Sequence, residues 1–149
     1  MNNLYNQEDV NGILKRLENL QLNSKRQWGK MDIAQMLAHL NISLETAMGL
    51  NFPKRMFIGR IIGKLVKKKF LNEKPMDKNS PTDKSYVFTD EKEFEKEKTK
   101  ALQNVKAFFE NGPKKCTKHP HSFFGHLTSE EWAVLQWKHF DHHLRQFSE

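Results

Sequence analysis

Cysteine is nearly absent from this chain. Cys116 is the one thiol in 149 residues, so no intrachain disulfide can form and a cysteine-rich metal site is excluded. Long apolar runs are missing too. Charged residues interrupt every apolar stretch within a few positions, and no transmembrane helix is expected. The opening MNNLYNQEDV has neither the basic start nor the apolar run of a secretory signal. These absences lead to the expectation of a cytoplasmic protein in a reducing setting. There is no internal repeat and no low-complexity linker, and the length suits one domain over residues 1–149 with a proper hydrophobic core.

What is present begins with charge. The formal net charge is +7 and the mean hydropathy is −0.79, and much of the excess lies between Lys54 and Lys69. Lys54, Arg55, Arg60, Lys64, Lys67, Lys68 and Lys69 allow association with nucleic acid or an anionic membrane. The plainer reading is a lysine-rich solvated surface, because bulk charge speaks to association rather than to a site. Nucleic acid is therefore not the expected partner.

Apolar periodicity then divides the chain into helices. Residues 7–22 place Val10, Ile13, Leu14, Leu17 and Leu20 at helical spacing. Residues 31–48 form a second helix, with Gly49 in the position a left-handed cap prefers. Residues 54–70 read as a basic amphipathic helix weakened by Gly59 and Gly63. Asn72 to Phe88, with Pro75, Asn79, Ser80 and Pro81, reads as a long crossover loop. Asp90 and Glu93 have capping-box spacing and open a helix to about Glu110, ended by Asn111-Gly112-Pro113. Thr128 and Glu131 form a second capping box before a last helix through Phe147. The expected class is all-α: four main helices plus one shorter basic helix, in a bundle with long crossover connections.

Histidine is the unusual component. Six of the seven histidines follow residue 118. At roughly 100° per residue, His139 and His143 fall on one face of the last helix with Trp132, Leu135 and Gln136, beside the stripe Ala133, Trp137, Phe140, Leu144 and Phe147. Glu131, Lys138, Asp141 and Arg145 make the polar side. Two imidazoles one turn apart reach a common ion. His39, at the margin of the apolar stripe of the second helix with Gln35, Ser43 and Thr46 on its flank, is the natural third ligand. Three neutral imidazoles with an open position suit a divalent transition metal, zinc or nickel first and iron or manganese next. The competing reading is a set of hydrogen-bonded core histidines. The HExxH metalloprotease pattern is not met, since Phe140 stands at the glutamate position, and Asp141 points away from the pair. His142 borders the same face, as a supporting or dimer-contact residue or equally as an ordinary surface histidine. His119, His121 and His126 read as ordinary loop histidines, although one of them can approach the site from above. Cys116, a loop thiol without a partner base, is no candidate nucleophile.

Four segments carry a family resemblance: QWGKMDIAQMLAHL (Gln27–Leu40), the run from Ile58 to Asp83, FEKEK (Phe94–Lys98), and FFGHLTSEEW with KHFDHHLRQF between Phe123 and Phe147. The chain resembles the DinB/YfiT-like superfamily of metalloenzymes, and within it a branch of small bacterial proteins ending in KHxDHHLxQF. Ser122 departs from the branch, which commonly has proline there; this touches a loop and no ligand.

The resemblance implies a four-helix bundle, often a homodimer, with metal held by one histidine of the second helix and an HxxxH pair of the last. Those positions fall on His39, His139 and His143. It further implies a metal-dependent enzyme acting on a small-molecule substrate, an S-transferase using a low-molecular-weight thiol or a hydrolase. The alternative is a non-catalytic dimeric bundle with a structural metal or none.

Overall fold

The computed structural model describes residues 1–78, 80 and 82–149. The expected loop residues Asn79 and Pro81 lie outside the described residues. Among those described there are five α-helices and no strand: α1 (Gln7–Asn19), α2 (Ile33–Ala47), α3 (Phe57–Phe70), α4 (Phe94–Asn111) and α5 (Ser129–Gln146), with 3-10 turns at Lys84–Tyr86 and Pro113–Lys115. No described helix is long and apolar enough to cross a membrane.

Helix ends follow local chemistry. The Asn6 side chain accepts from the backbone N–H groups of Glu8 and Asp9 at the start of α1, satisfying donors with no partner inside the helix. That helix stops at Asn19, short of the expected residue 22. Leu20 turns out into extended backbone and is fully buried, and Lys98 of α4 donates to the Glu18 and Leu20 carbonyls that the ended helix leaves free. Helix α2 opens with a capping box between Asp32 and Gln35 and ends before Gly49, whose φ of +74° is the left-handed value its position requires.

The expected capping box at Asp90 and Glu93 does not form. Helix α4 begins at Phe94, with Glu93 as a cap residue that makes no side-chain bond. The Asp90 carboxylate is taken by Lys92, and its carbonyl accepts from the Gln35 side chain. Thr128 and Glu131 do form the expected box at the head of α5.

Helix α2 packs against α4 and α5, and α1 packs against the same two. One apolar cluster runs from Leu4 to Phe147, with Leu17, Leu37, Phe108, Trp132 and Phe140 at its centre. Asn41 fastens α2 to α4 by donating to the Glu97 carbonyl and carboxylate. The Arg16–Asp141 pair, at 2.9 Å, joins α1 to α5.

Helix α3 lies outside this arrangement. Its buried face consists of Gly59 and Gly63, which rest on the backbone of Phe123 so closely that a Cβ at either position would overlap the Phe123 carbonyl. The two glycines, expected only to weaken the helix, are what lets it dock. Lys138, assigned by periodicity to the polar side of α5, is buried. Its ammonium donates to the carbonyls of Phe70 and Asn72 at the C-terminal end of α3, where a cation meets the negative end of the helix dipole.

Candidate metal centre

Helix α2 presents His39, and α5 presents His139 and His143 one turn apart. The three rings form a nearly equilateral triangle, with centroids 4.7, 4.8 and 4.8 Å apart and planes inclined by 73–81°. One ring nitrogen from each lies within 4.8 Å of the others. His39 and His143 are buried, and His139 is intermediate, with its Nδ1 buried.

Hydrogen bonds set which nitrogen turns inward. His39 Nδ1 is 2.8 Å from the Tyr86 carbonyl oxygen. A carbonyl only accepts, so Nδ1 carries the hydrogen and Nε2 of the neutral ring is a lone pair. His143 Nδ1 is 2.8 Å from Gln146 Oε1. The amide of Gln146 is oriented by its Nε2, which donates to the Trp28 carbonyl at 2.7 Å. His143 therefore donates through Nδ1 and also keeps Nε2 as a lone pair. His139 Nε2 faces His39 Nε2 at 2.8 Å, and its buried Nδ1 has no hydrogen-bond partner among the described residues. A lone pair on His39 at that separation needs a proton or a cation opposite it. The donor set, with two imidazoles locked as Nε2 ligands and a third facing them, fits a transition metal.

Electrostatics favours the same protonation state. Burial pushes the pKa of His39 down, and those of His139 and His143 go well below the ordinary imidazole value, with their proximity to His39 adding to the effect. His121 is lowered to about 4, chiefly by burial and then by Arg55. The unfolded chain takes up protons near pH 6.5 that the folded chain refuses, so stability is fully present above that pH and declines below it. In chelator-containing buffer the melting temperature is expected to fall as pH drops from 7.5 to 5, each such imidazole withdrawing up to about 1.4 kcal/mol of stability per pH unit. A flat thermal-melt profile over that window would contradict the neutral, buried assignment.

The flanking residues divide. Ser43 and Gln136 hydrogen-bond one another across α2 and α5, so they brace the helices one turn from the histidines. Thr46 Oγ1 is 2.8 Å from the Tyr86 hydroxyl and holds the residue whose carbonyl engages His39. Gln35 is engaged in the α2 capping box and on the Asp90 carbonyl. His142 is buried, with its ring centroid 5.0 Å from that of His143 and 5.5 Å from that of Trp28. Asp141 is tied to Arg16 and Arg145, in keeping with its exclusion as a base.

The loop histidines lie outside the triangle. His119 reaches the Pro53 carbonyl, and the His126 carbonyl accepts from Lys67. His121 is no ordinary loop histidine: it packs on Phe124 and Trp132, and its Nδ1 accepts from the N–H groups of Phe123 and Phe124. A surface cleft of about 300 Å³, bounded by Asn72, Met76, Trp137, Lys138 and Asp141, opens on another face of α5 and contains none of the three imidazoles.

Sequence reasoning missed Tyr86 and Gln146. Gln146 stands three residues after His143 on one helix, a spacing that brings side chains together and was legible. The Tyr86 bond comes from a backbone carbonyl and leaves no side-chain signal.

A family model described as "Protein of unknown function (DUF1569)" matches residues 3–149. No curated protein and no solved structure matches the chain.

Proposed function

Since the chain belongs to the DUF1569 family, whose description assigns no activity, we propose from its own geometry that His39, His139 and His143 hold a divalent transition metal in a metal-dependent enzyme. The observation that carries this reading is the pair of outward Nδ1 bonds, to Tyr86 and Gln146, that turn two lone pairs toward the third imidazole. Zinc or nickel suits three neutral imidazoles best, with iron or manganese next. We further propose that α1, α2, α4 and α5 form a four-helix bundle of the DinB/YfiT type, to which α3 is an addition. A metal bound there supplies Lewis acidity that lowers the pKa of a thiol or a water molecule. The reaction class that uses this is an S-transferase with a low-molecular-weight thiol as cosubstrate. Of the three ligands His139 is the least buried, and we propose that a small molecule reaches the open position from its side.

The test is metal analysis of protein purified without chelator, followed by a thiol-cosubstrate screen on the metal-loaded form. About one equivalent of metal is expected. Protein that carries none and takes up none of zinc, nickel, manganese or iron overturns the proposal.

Burial of His39 and His143 favours a second reading, in which the ion is structural. Metal removal would then lower the melting temperature while the loaded protein shows no activity with any thiol.

The outer hydrogen bonds give a separate prediction. Gln146→Leu leaves all three ligands in place but removes the acceptor that orients His143. Metal affinity is expected to fall roughly 10–100-fold, measured by competition with a chromogenic chelator. An unchanged affinity would mean that the Gln146 bond does not set the ligand.

A further inference from the structure

The face of α3 opposite Gly59 and Gly63 has no partner among the described residues. Phe57, Ile61 and Leu65 are 78%, 64% and 74% exposed, and Ile58 is 47% exposed. At roughly 100° per residue these four fall within one arc of about 100°, so they form the outward crest of the helix. Arg60 and Lys64 flank that arc on one side, and Lys68 and Lys69 sit at its C-terminal end; all four are exposed.

No Asp or Glu occurs between Glu45 and Glu73, an interval holding seven Lys and Arg residues. Lys67 is committed to Glu131 at 2.8 Å, and Arg55 donates to the His121 carbonyl. These two bonds and the glycine face fix α3 to the body of the protein with its crest outward. Lys54, Arg60, Lys64 and Lys68 make no ion pair among the described residues.

We propose that α3 is a docking surface for an anionic lipid bilayer, lying in the interface with Phe57, Ile58, Ile61 and Leu65 among the acyl chains and the cations on the headgroup phosphates. Two observations select this occupant. An apolar crest bordered by cations, on a helix with no acidic residue, is the composition of a helix that lies in a membrane interface. A second copy of the chain on this face would oppose two surfaces of the same positive charge, because a two-fold interface pairs a patch with itself. Nucleic acid fits less well, since the most prominent side chains are apolar and phosphates need cations at the point of contact.

The experiment is co-sedimentation of the full chain with phosphatidylcholine–phosphatidylglycerol vesicles and with pure phosphatidylcholine vesicles, at low and high salt. The wild type is expected to bind the anionic vesicles, to ignore the neutral ones and to be released as salt rises. The Ile61→Ser/Leu65→Ser variant and the Arg60→Gln/Lys64→Gln/Lys68→Gln variant are each expected to bind roughly tenfold more weakly or worse. Every substituted position is exposed, and circular dichroism verifies that both variants keep the helical fold. The proposal is overturned if the wild type ignores anionic vesicles at low salt, or if the serine variant binds them as the wild type does. It is equally overturned if light scattering without lipid shows a dimer that the serine variant dissolves, which makes a second copy the occupant. Duplex DNA or RNA bound more tightly than the vesicles, and equally by the serine variant, would assign the face to nucleic acid.

Discussion

His139→Ala is expected to be purified without metal under conditions that leave about one equivalent on the wild type. His139 is the ligand toward which the other two turn: its Nε2 faces that of His39 at 2.8 Å, and its ring completes the triangle with His143. Removing it leaves two imidazoles, and the expected loss of affinity exceeds the roughly 10–100-fold that follows from losing a hydrogen-bond partner of a ligand. Unfolding would not be the cause. His139 Nδ1 has no partner, so the one bond the alanine removes is that to His39 Nε2. In chelator the stability of the variant is expected to lie within roughly 1–3 kcal/mol of the wild type, the cost of leaving one buried hydrogen-bonding atom unpaired. Adding metal separates the two proteins. At a concentration of 100 times its Kd a ligand stabilises the native state by about 2.7 kcal/mol, a gain expected for the wild type and absent from the variant. If the variant keeps a full equivalent of metal, the assignment of His139 is wrong.

Phe140→Ala is expected to be the most destabilising single truncation near the site, costing about 3–5 kcal/mol. Phe140 directly follows the ligand His139, yet it points the other way and is completely buried in the cluster shared with Leu37 and Trp132. The loss comprises the transfer free energy of a phenyl ring and the cavity it leaves. Against a total stability of about 5–15 kcal/mol, the melting temperature is expected to fall on the order of 10 °C or more. Urea unfolding monitored by circular dichroism measures it. A loss under about 1 kcal/mol would mean that the core closes over the gap, contrary to the packing described. The same burial explains why this HxxxH pair is not a protease motif in disguise: position 140 belongs to the core, where a glutamate would be an unpaired charge.

The helices were legible because their apolar residues recur at helical spacing, and the histidine triangle because His139 and His143 share an interior face while His39 borders another. What failed is informative about local signals. Asp90 and Glu93 have the spacing of a capping box, but spacing cannot show that Lys92 and Gln35 compete for Asp90. Periodicity puts Lys138 on the polar side because it records direction and not what folds over it; here the end of α3 covers it. Gly59 and Gly63, read for low helix propensity alone, are four residues apart on one face, a spacing that also signals close backbone approach. His121 reads as an ordinary loop histidine because a loop has no periodicity from which its packing on Phe124 and Trp132 can be read.

The bond from His39 to the Tyr86 carbonyl has a consequence for how the site is inherited. Its acceptor is main chain, so an exchange at position 86 removes no acceptor atom and acts only by shifting the backbone, as loss of the Tyr86 hydroxyl's bond to Thr46 would. What moves it is the path of the backbone, set by the 3-10 turn that the Asp83 carboxylate caps at Ser85. The heritable unit behind that ligand's tautomer is therefore a length of chain. An insertion or deletion between residues 82 and 85 would be felt at the metal even with every histidine in place.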